Sequence, residues 1–122
     1  MGFYGPEPFN TASATYVWTG LDGPGFFFVE VEGNAPNFTS GITLVRDERY
    51  VGGLQIDVMG WTGPLAQGTT PYKVQSTFPG QFLKEIVVKG SNKTEVVLVR
   101  EIPAAEADSF FQSRAQAQAQ AA

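Results

Sequence analysis

The chain has 122 residues, a net charge of −4, and neither histidine nor cysteine. Those two side chains supply most neutral-pH general bases, transition-metal ligands and thiol chemistry. Their absence argues against Ser-His and Cys-His nucleophile systems and against His- or Cys-ligated zinc, haem and iron–sulfur sites. The eight Lys and Arg residues are scattered, without the basic stripe that phosphate backbones and anionic membranes require, so neither nucleic acid nor a membrane surface is predicted as a partner.

Only 16% of the residues are charged, where about a quarter is usual, and this shortage favours a surface that a partner partly covers. We predict three segments: an extended aromatic N-terminal arm (1–12), a β domain (13–102), and a C-terminal helix with an Ala/Gln-rich tail (103–122). No secretory leader or transmembrane segment is recognisable. Together with the lack of cysteine, this favours a cytoplasmic location or a large assembly over secretion.

The first twelve residues combine two glycines and two prolines with three aromatic side chains, Phe3, Tyr4 and Phe9. Glycine and proline at this density disfavour a regular element. A segment that stayed free in water would not usually carry so much apolar surface. We therefore predict an arm that docks on a surface of its own chain or of a neighbouring subunit.

The middle of the chain shows alternating hydrophobicity interrupted by turn residues, which is typical of strands. The predicted strands are 14–20, 26–32, 39–46, 50–61, 72–78, 82–89 and 94–102. Most neighbours are joined by short turns that favour antiparallel hairpins. The predicted fold is mainly β: a small antiparallel β-sandwich or partly open barrel of six to seven strands, followed by a C-terminal α-helix.

Two strands carry informative patterns. The second predicted strand places Phe27, Val29 and Val31 on a core face, and its other face, with Phe28, Glu30 and Glu32, is predicted to meet solvent. Glu30 and Glu32 would lie roughly 6–7 Å apart, near the spacing of an inverting glycosidase. A solvated strand face is the simpler interpretation, so no catalytic residue is predicted. In the last strand, apolar residues at successive positions 96–99 predict burial on both faces.

The pattern changes to helical spacing after Pro103. A proline followed by acidic residues is typical of a helix N-terminus. Ala107, Phe110, Phe111 and Arg114 then fall on one helix face. We predict that this helix docks on a neighbouring subunit.

Trp61 precedes the longest irregular stretch, 62–71, which is the best candidate for a contact loop. Together with the two terminal segments it defines the predicted partner-binding residues, which are Phe3, Tyr4, Phe9, Trp61, Leu65, Phe110 and Phe111.

These observations favour a non-enzymatic β-rich structural or assembly subunit that binds a protein partner, or further copies of itself, and that needs no cofactor or metal. The alternative is a small-ligand or carbohydrate-binding module with an aromatic platform around Trp61. A hydrolytic enzyme using the carboxylates of Glu30 and Glu32 is a third, less favoured hypothesis.

Overall fold

The computed structural model of the chain describes residues 3–19, 25–63 and 68–113. Within these ranges the chain is mainly β, with one short C-terminal helix, which confirms the predicted fold class. The strands are β1 (Phe3–Pro6), β2 (Thr11–Val17), β3 (Phe26–Pro36), β4 (Thr39–Arg46), β5 (Gln55–Thr62), β6 (Thr69–Pro79), β7 (Glu85–Lys89) and β8 (Thr94–Ile102). Helix α1 covers residues 107–113 and follows a 3-10 turn at Ala104–Glu106.

The strands form one curled sheet with the order β1-β5-β7-β8-β2-β3-β6. One edge of β5 is shared by β7 and β1, and β4 pairs with its other edge. This places β4 beside β6, without pairing, so the sheet closes into a half-barrel with a seam. At one end of the seam Arg46 Nη1 donates a hydrogen bond to the carbonyl oxygen of Pro79 at 3.3 Å.

Two of the strand pairs are parallel, β2–β8 and β5–β7, where the sequence predicts antiparallel neighbours. Both pairs join strands that are far apart along the chain. A tight turn imposes antiparallel pairing only on the two strands that it connects, so the remaining pairings depend on how the sheet curls.

The half-barrel interior is the core, and β3 supplies its centre as predicted. Phe27, Val29 and Val31 are at most 1% exposed. Ile56 and Val58 on β5 are fully buried in the same cluster. The period-two alternation of these strands therefore identifies their inward faces correctly.

Residues 3–10 are built into the sheet and the core. Phe3–Pro6 forms β1 along β5, so the expectation of no regular element is wrong there, since Pro6 lies at the strand end where a missing amide is tolerated. Beyond it, the backbone crosses one end of the half-barrel. The amide of Glu7 donates to the Val58 carbonyl at 2.8 Å and that of Asn10 to the Glu32 carbonyl at 2.8 Å.

Phe9 is fully buried in the core cluster rather than displayed on an arm. The Asn92 side chain binds both backbone groups of Phe9, accepting from its amide at 3.1 Å and donating to its carbonyl at 2.9 Å. A Cβ at Gly90 would lie 2.6 Å from Phe9 Cδ1, so only glycine lets the β7–β8 turn approach this ring. Phe9 presents no side-chain surface to a partner in this structure.

Helix α1 packs on the outside of β3. The ring centroid of Phe28 lies 5.6 Å from that of Phe110 and 5.6 Å from that of Phe111. Phe28 is 5% exposed and Glu30 is 7% exposed, so the prediction of a solvated face is wrong for these two residues. The physical reason is a second layer, since α1 covers Phe28, and Lys73 from β6 places its Nζ 3.6 Å from Glu30 Oε2.

The prediction that the last strand is buried on both faces is also wrong. Val97 points inward and is 7% exposed, but Val96 and Leu98 on the outer face are 58% and 78% exposed. Within the described part of the chain, α1 covers β3 and leaves the outside of β7 and β8 bare. Strand burial on the outer face is therefore set by where the helix docks.

Candidate protein-binding surface

Exposed aromatic side chains collect at one end of the half-barrel, where β1 and β4 flank the end of β5. Tyr4 pairs in register with Trp61, and Phe3 with Thr62. Phe38 immediately precedes β4, whose first residue also lies opposite Thr62. We call Phe3, Tyr4, Phe38 and Trp61 the aromatic surface; they are 75%, 49%, 70% and 51% exposed. Strand alternation places Phe3 on the opposite side of β1 from Tyr4, so Phe3 borders this surface at the end of the half-barrel.

Tyr4 and Trp61 form the centre of this surface. They are cross-strand partners on the outer side of the sheet, since Ile56 and Val58 alternate with Trp61 and point inward. Their ring centroids are 5.0 Å apart and their planes are tilted by 53°. The two rings support each other and still leave about half of each side chain in water. Such a pair offers a rigid apolar wedge at low entropic cost.

Phe38 lies in the turn between β3 and β4 with a φ of +69°. This left-handed conformation is uncommon for residues other than glycine and is unfavourable for a bulky side chain. Its carbonyl accepts a hydrogen bond from the Gly63 amide at 3.0 Å, which ties the turn to the end of β5. The molecule therefore holds an exposed aromatic side chain in a strained backbone conformation.

Behind the aromatic surface the half-barrel holds a small polar cluster. Thr62 Oγ1 donates to Glu7 Oε1 at 2.6 Å, and Glu7 is only 2% exposed. Glu7 fits because residue 60 is glycine, where a Cβ would lie 2.9 Å from Glu7 Cγ. The hydroxyl of Tyr72 donates to the Pro8 carbonyl. These contacts hold the segment that follows β1, and with it the position of Tyr4.

Burial, and secondly the nearby charge of Glu7, raise the pKa of Tyr72 from 10.0 to about 12. In the unfolded chain this phenol ionises near pH 10, whereas in the folded chain it keeps its proton until about pH 12. The contribution of Tyr72 to stability is therefore complete below pH 10 and is lost as the pH rises towards 12.

We expect the free energy of unfolding of the wild type to fall across this alkaline range more steeply than that of Tyr72→Phe. Urea unfolding at a series of pH values measures the two slopes. Tyr50→Phe, at a 41% exposed position, is the matched control for the removal of a tyrosine hydroxyl, and a change of slope as large as that of Tyr72→Phe would show that the effect is not specific to Tyr72. Equal slopes for the wild type and Tyr72→Phe would contradict the assignment.

A cleft of about 580 Å³ lies at the rim, near the starts of β2 and β6. Glu32, Tyr72 and Lys73 are among its lining residues. Lys73 Nζ lies 3.6 Å from a carboxylate oxygen of Glu30 and 3.6 Å from one of Glu32. The two carboxylates thus share one cation, and only Glu32 retains substantial exposure. The positive charge of Lys73 therefore offsets part of the negative charge of the two glutamates on the outer side of β3.

Of the seven predicted partner-binding residues, the structure brings together Phe3, Tyr4 and Trp61, and it places Phe9, Phe110 and Phe111 away from them. Phe9 lies in the core, and Phe110 and Phe111 pack on β3 of the same chain. Leu65, Arg114 and the Ala/Gln-rich end of the chain (115–122) lie outside the described residues. The sequence analysis missed Phe38, although an aromatic residue between the predicted strands 26–32 and 39–46 was the available signal.

No group of three or more potential metal-ligating side chains occurs in the ranges that the structure describes. Over the same residues, no helix has the length and apolar character needed to span a bilayer. In comparisons with known proteins, no family model, no curated protein and no solved structure matches this chain.

Proposed function

We propose that this chain is a non-enzymatic assembly subunit that binds a protein partner through the aromatic surface. The observation that carries the proposal is the Tyr4–Trp61 pair, two aromatic residues from distant parts of the sequence that strand pairing places side by side and half exposed. Tyr and Trp are the residue types most enriched at the energetic centres of protein interfaces.

The tilt of the two rings favours a protein over a carbohydrate as the partner. The planes of the two rings are inclined by 53°, so one flat ligand cannot stack on both rings at once. An inclined pair matches the side chain of a protein better than it matches the face of a sugar ring. We therefore place the carbohydrate-binding alternative second.

The strain at Phe38 supports a binding role for the same surface. An exposed phenylalanine at positive φ contributes nothing to the core, and it costs backbone energy of about 1 kcal/mol. Sites that retain such strain are often used for recognition. The strand neighbours Ser40 and Thr62 are uncharged, and the chain carries a net charge of −4. The partner we propose is accordingly a basic protein that contributes apolar side chains to the contact.

Phe38→Asn is expected to raise the free energy of unfolding by about 0.5–1 kcal/mol, because asparagine tolerates the left-handed region better than phenylalanine does. Chemical denaturation measures this change. The same variant is expected to weaken partner binding. A variant that gains stability and loses binding separates a role in recognition from a role in folding. A Phe38→Asn variant less stable than the wild type would contradict the assignment of strain.

The partner is tested by placing a photo-crosslinking phenylalanine analogue at Phe3 in the source cells. The control analogue is at Val45, which is 39% exposed on β4 and distant from Trp61. We expect the analogue at position 3 to form an adduct with one defined protein, and the analogue at position 45 not to form this adduct. Adding Trp61→Ser to the chain that carries the analogue at position 3 should abolish the adduct. The partner protein identified from the adduct is then purified and titrated with this chain. It should bind the Trp61→Ser variant at least tenfold more weakly than it binds the wild type.

An adduct that forms equally from both positions, or that persists in Trp61→Ser, would rule the aromatic surface out as the binding site. The carbohydrate alternative is tested on Trp18→Phe, in which Trp61 is the one remaining tryptophan. A saturable change of its fluorescence with a saccharide, and no protein adduct, would replace the protein partner by a sugar.

A further inference from the structure

The outside of β7 and β8 is a second exposed apolar region, on a different part of the sheet from the aromatic surface. Val96 and Leu98 are 58% and 78% exposed, and Val87 is the cross-strand partner of Val96 on the same outer side. Tyr50 and Val51, 41% and 90% exposed, belong to the loop beside it. We call Val87, Val96 and Leu98 the valine–leucine face. Contiguous apolar surface of this kind usually marks an interaction site.

We propose that the valine–leucine face binds a second copy of this chain, so that two sheets pack face to face in a symmetric dimer. Sheets pack in this way about 10 Å apart with their strands nearly aligned. A two-fold axis that lies between the sheets and runs perpendicular to β7 reverses the strand direction in the second copy. Each residue on one side of Val87 then faces the residue equally far on the other side.

The charges of β7 fit this symmetry. Glu85 and Lys89 lie two residues before and two residues after Val87, and all three side chains point outward because Ile86 and Val88 are buried. Under the two-fold axis, Glu85 faces Lys89 of the second copy, and this contact occurs twice. A pattern of negative, apolar and positive residues about one centre is complementary to itself. Among the described residues, neither Glu85 nor Lys89 takes part in an ion pair within its own chain.

The side-chain sizes on β8 fit the same axis. Leu98 pairs in register with Glu85, and Thr94 pairs with Lys89. The axis therefore places the large Leu98 over the small Thr94 of the second copy, with Val96 facing Val96 between them. Large residues over small ones allow two faces to interdigitate. A partner of different sequence would have no reason to match both the charge order of β7 and the size order of β8.

The neighbouring strand β5 is compatible with this arrangement. Gln55 pairs with Val87 and is uncharged, so the axis brings no like charges together there. Asp57 pairs with Lys89, and its carboxylate accepts a hydrogen bond from the Gln55 side chain at 2.9 Å. Lys89 would then lie between Asp57 of its own sheet and Glu85 of the second copy, which adds to the attraction.

Sedimentation velocity of the purified chain across two decades of concentration tests the dimer. We expect the wild type to shift from monomer to dimer as the concentration rises. Leu98→Asp should weaken self-association at least tenfold, and because Leu98 is exposed the fold should be unaffected. Phe3→Ser is the control, because Phe3 is 75% exposed and lies outside the valine–leucine face, and this variant should dimerise like the wild type. A wild type that stays monomeric throughout, or a Leu98→Asp variant that dimerises normally, would overturn the proposal.

A charge experiment tests the symmetry itself. Glu85→Lys makes both flanking positions positive and Lys89→Glu makes both negative, so each variant alone should dimerise at least tenfold more weakly than the wild type. An equimolar mixture of the two restores opposite charges across the axis and should form heterodimers. A mixture that stays monomeric would show that these residues do not face each other.

The outcomes are separable from those for the aromatic surface. Trp61→Ser should leave the dimer intact, and Leu98→Asp should leave the adduct from position 3 intact. Loss of both properties in either variant would indicate one shared surface and would contradict this proposal.

Discussion

Phe9→Ala is expected to lower the free energy of unfolding by about 3–5 kcal/mol, the range observed when a fully buried phenylalanine is truncated. Phe9 is 0% exposed and packs where the chain crosses one end of the half-barrel. The backbone of Phe9 is fixed by two hydrogen bonds to the Asn92 side chain, so the segment can shift only partly into the space left by the ring. Because small domains are stable by only about 5–15 kcal/mol, this loss is a large fraction of the total. Urea or thermal unfolding measures it.

The control for this prediction is Phe3→Ala, in the same N-terminal segment but 75% exposed. Its effect on stability should stay within about 0.5 kcal/mol. A Phe9→Ala variant as stable as Phe3→Ala would show that Phe9 is not part of the core. The pair of variants therefore divides the N-terminal aromatic residues into one that holds the fold and others that are available to a partner.

Phe28→Ala is expected to cost about 3 kcal/mol and to release helix α1 from the sheet. Phe28 is 5% exposed, and its ring contacts both Phe110 and Phe111. On the same outer side, Val17 and Ile102 are buried as a cross-strand pair outside the main core cluster. Loss of the Phe28 ring removes the centre of this second apolar layer. We expect lower stability in denaturant and faster amide hydrogen exchange over residues 107–113.

Leu98→Ala is the matched control, since Leu98 is also a large apolar residue on the outer side of the sheet but is 78% exposed. It should change the monomer's stability by no more than about 0.5 kcal/mol, measured at concentrations too low for self-association. If Phe28→Ala had no larger effect than Leu98→Ala, the docking of α1 on its own sheet would be wrong. In that case, the helix would again be a candidate for docking on a neighbouring subunit.

The burial of Phe9 and the packing of α1 on Phe28 reduce the number of predicted partner-binding residues that remain exposed. The hypothesis of a protein-binding subunit stays a proposal. The N-terminal segment was predicted to dock on its own chain or on a neighbouring subunit, and the C-terminal helix on a neighbouring subunit. In the structure, Phe9 packs in the core of its own chain, and Phe110 and Phe111 pack on β3. What remains for partners is the surface that the same folding leaves exposed. We propose that this surface consists of the Tyr4–Trp61 pair and of the valine–leucine face, which lie on different parts of the same outer side of the sheet.

The sequence by itself determined the strands whose signals are local. The bounds of β4 and β8 agree with those predicted, and the inward residues of β3 follow from alternation, because strand geometry repeats every two residues whatever lies nearby. Other strand ends were predicted less well, since β3 continues to Pro36 instead of ending at residue 32 and β5 begins at Gln55 instead of residue 50. The class of fold followed from these local signals.

Only the tertiary structure decided what covers each strand. Phe28 and Leu98 both occupy outward positions, yet one is buried under α1 and the other is exposed, since the helix docks on β3 and not on β8. The pairing of Tyr4 with Trp61 depends in the same way on β1 joining β5, across a long stretch of chain. Alternation tells which side of a strand a residue occupies, but burial depends on the element packed against that side, and that contact is not encoded in any short stretch of sequence.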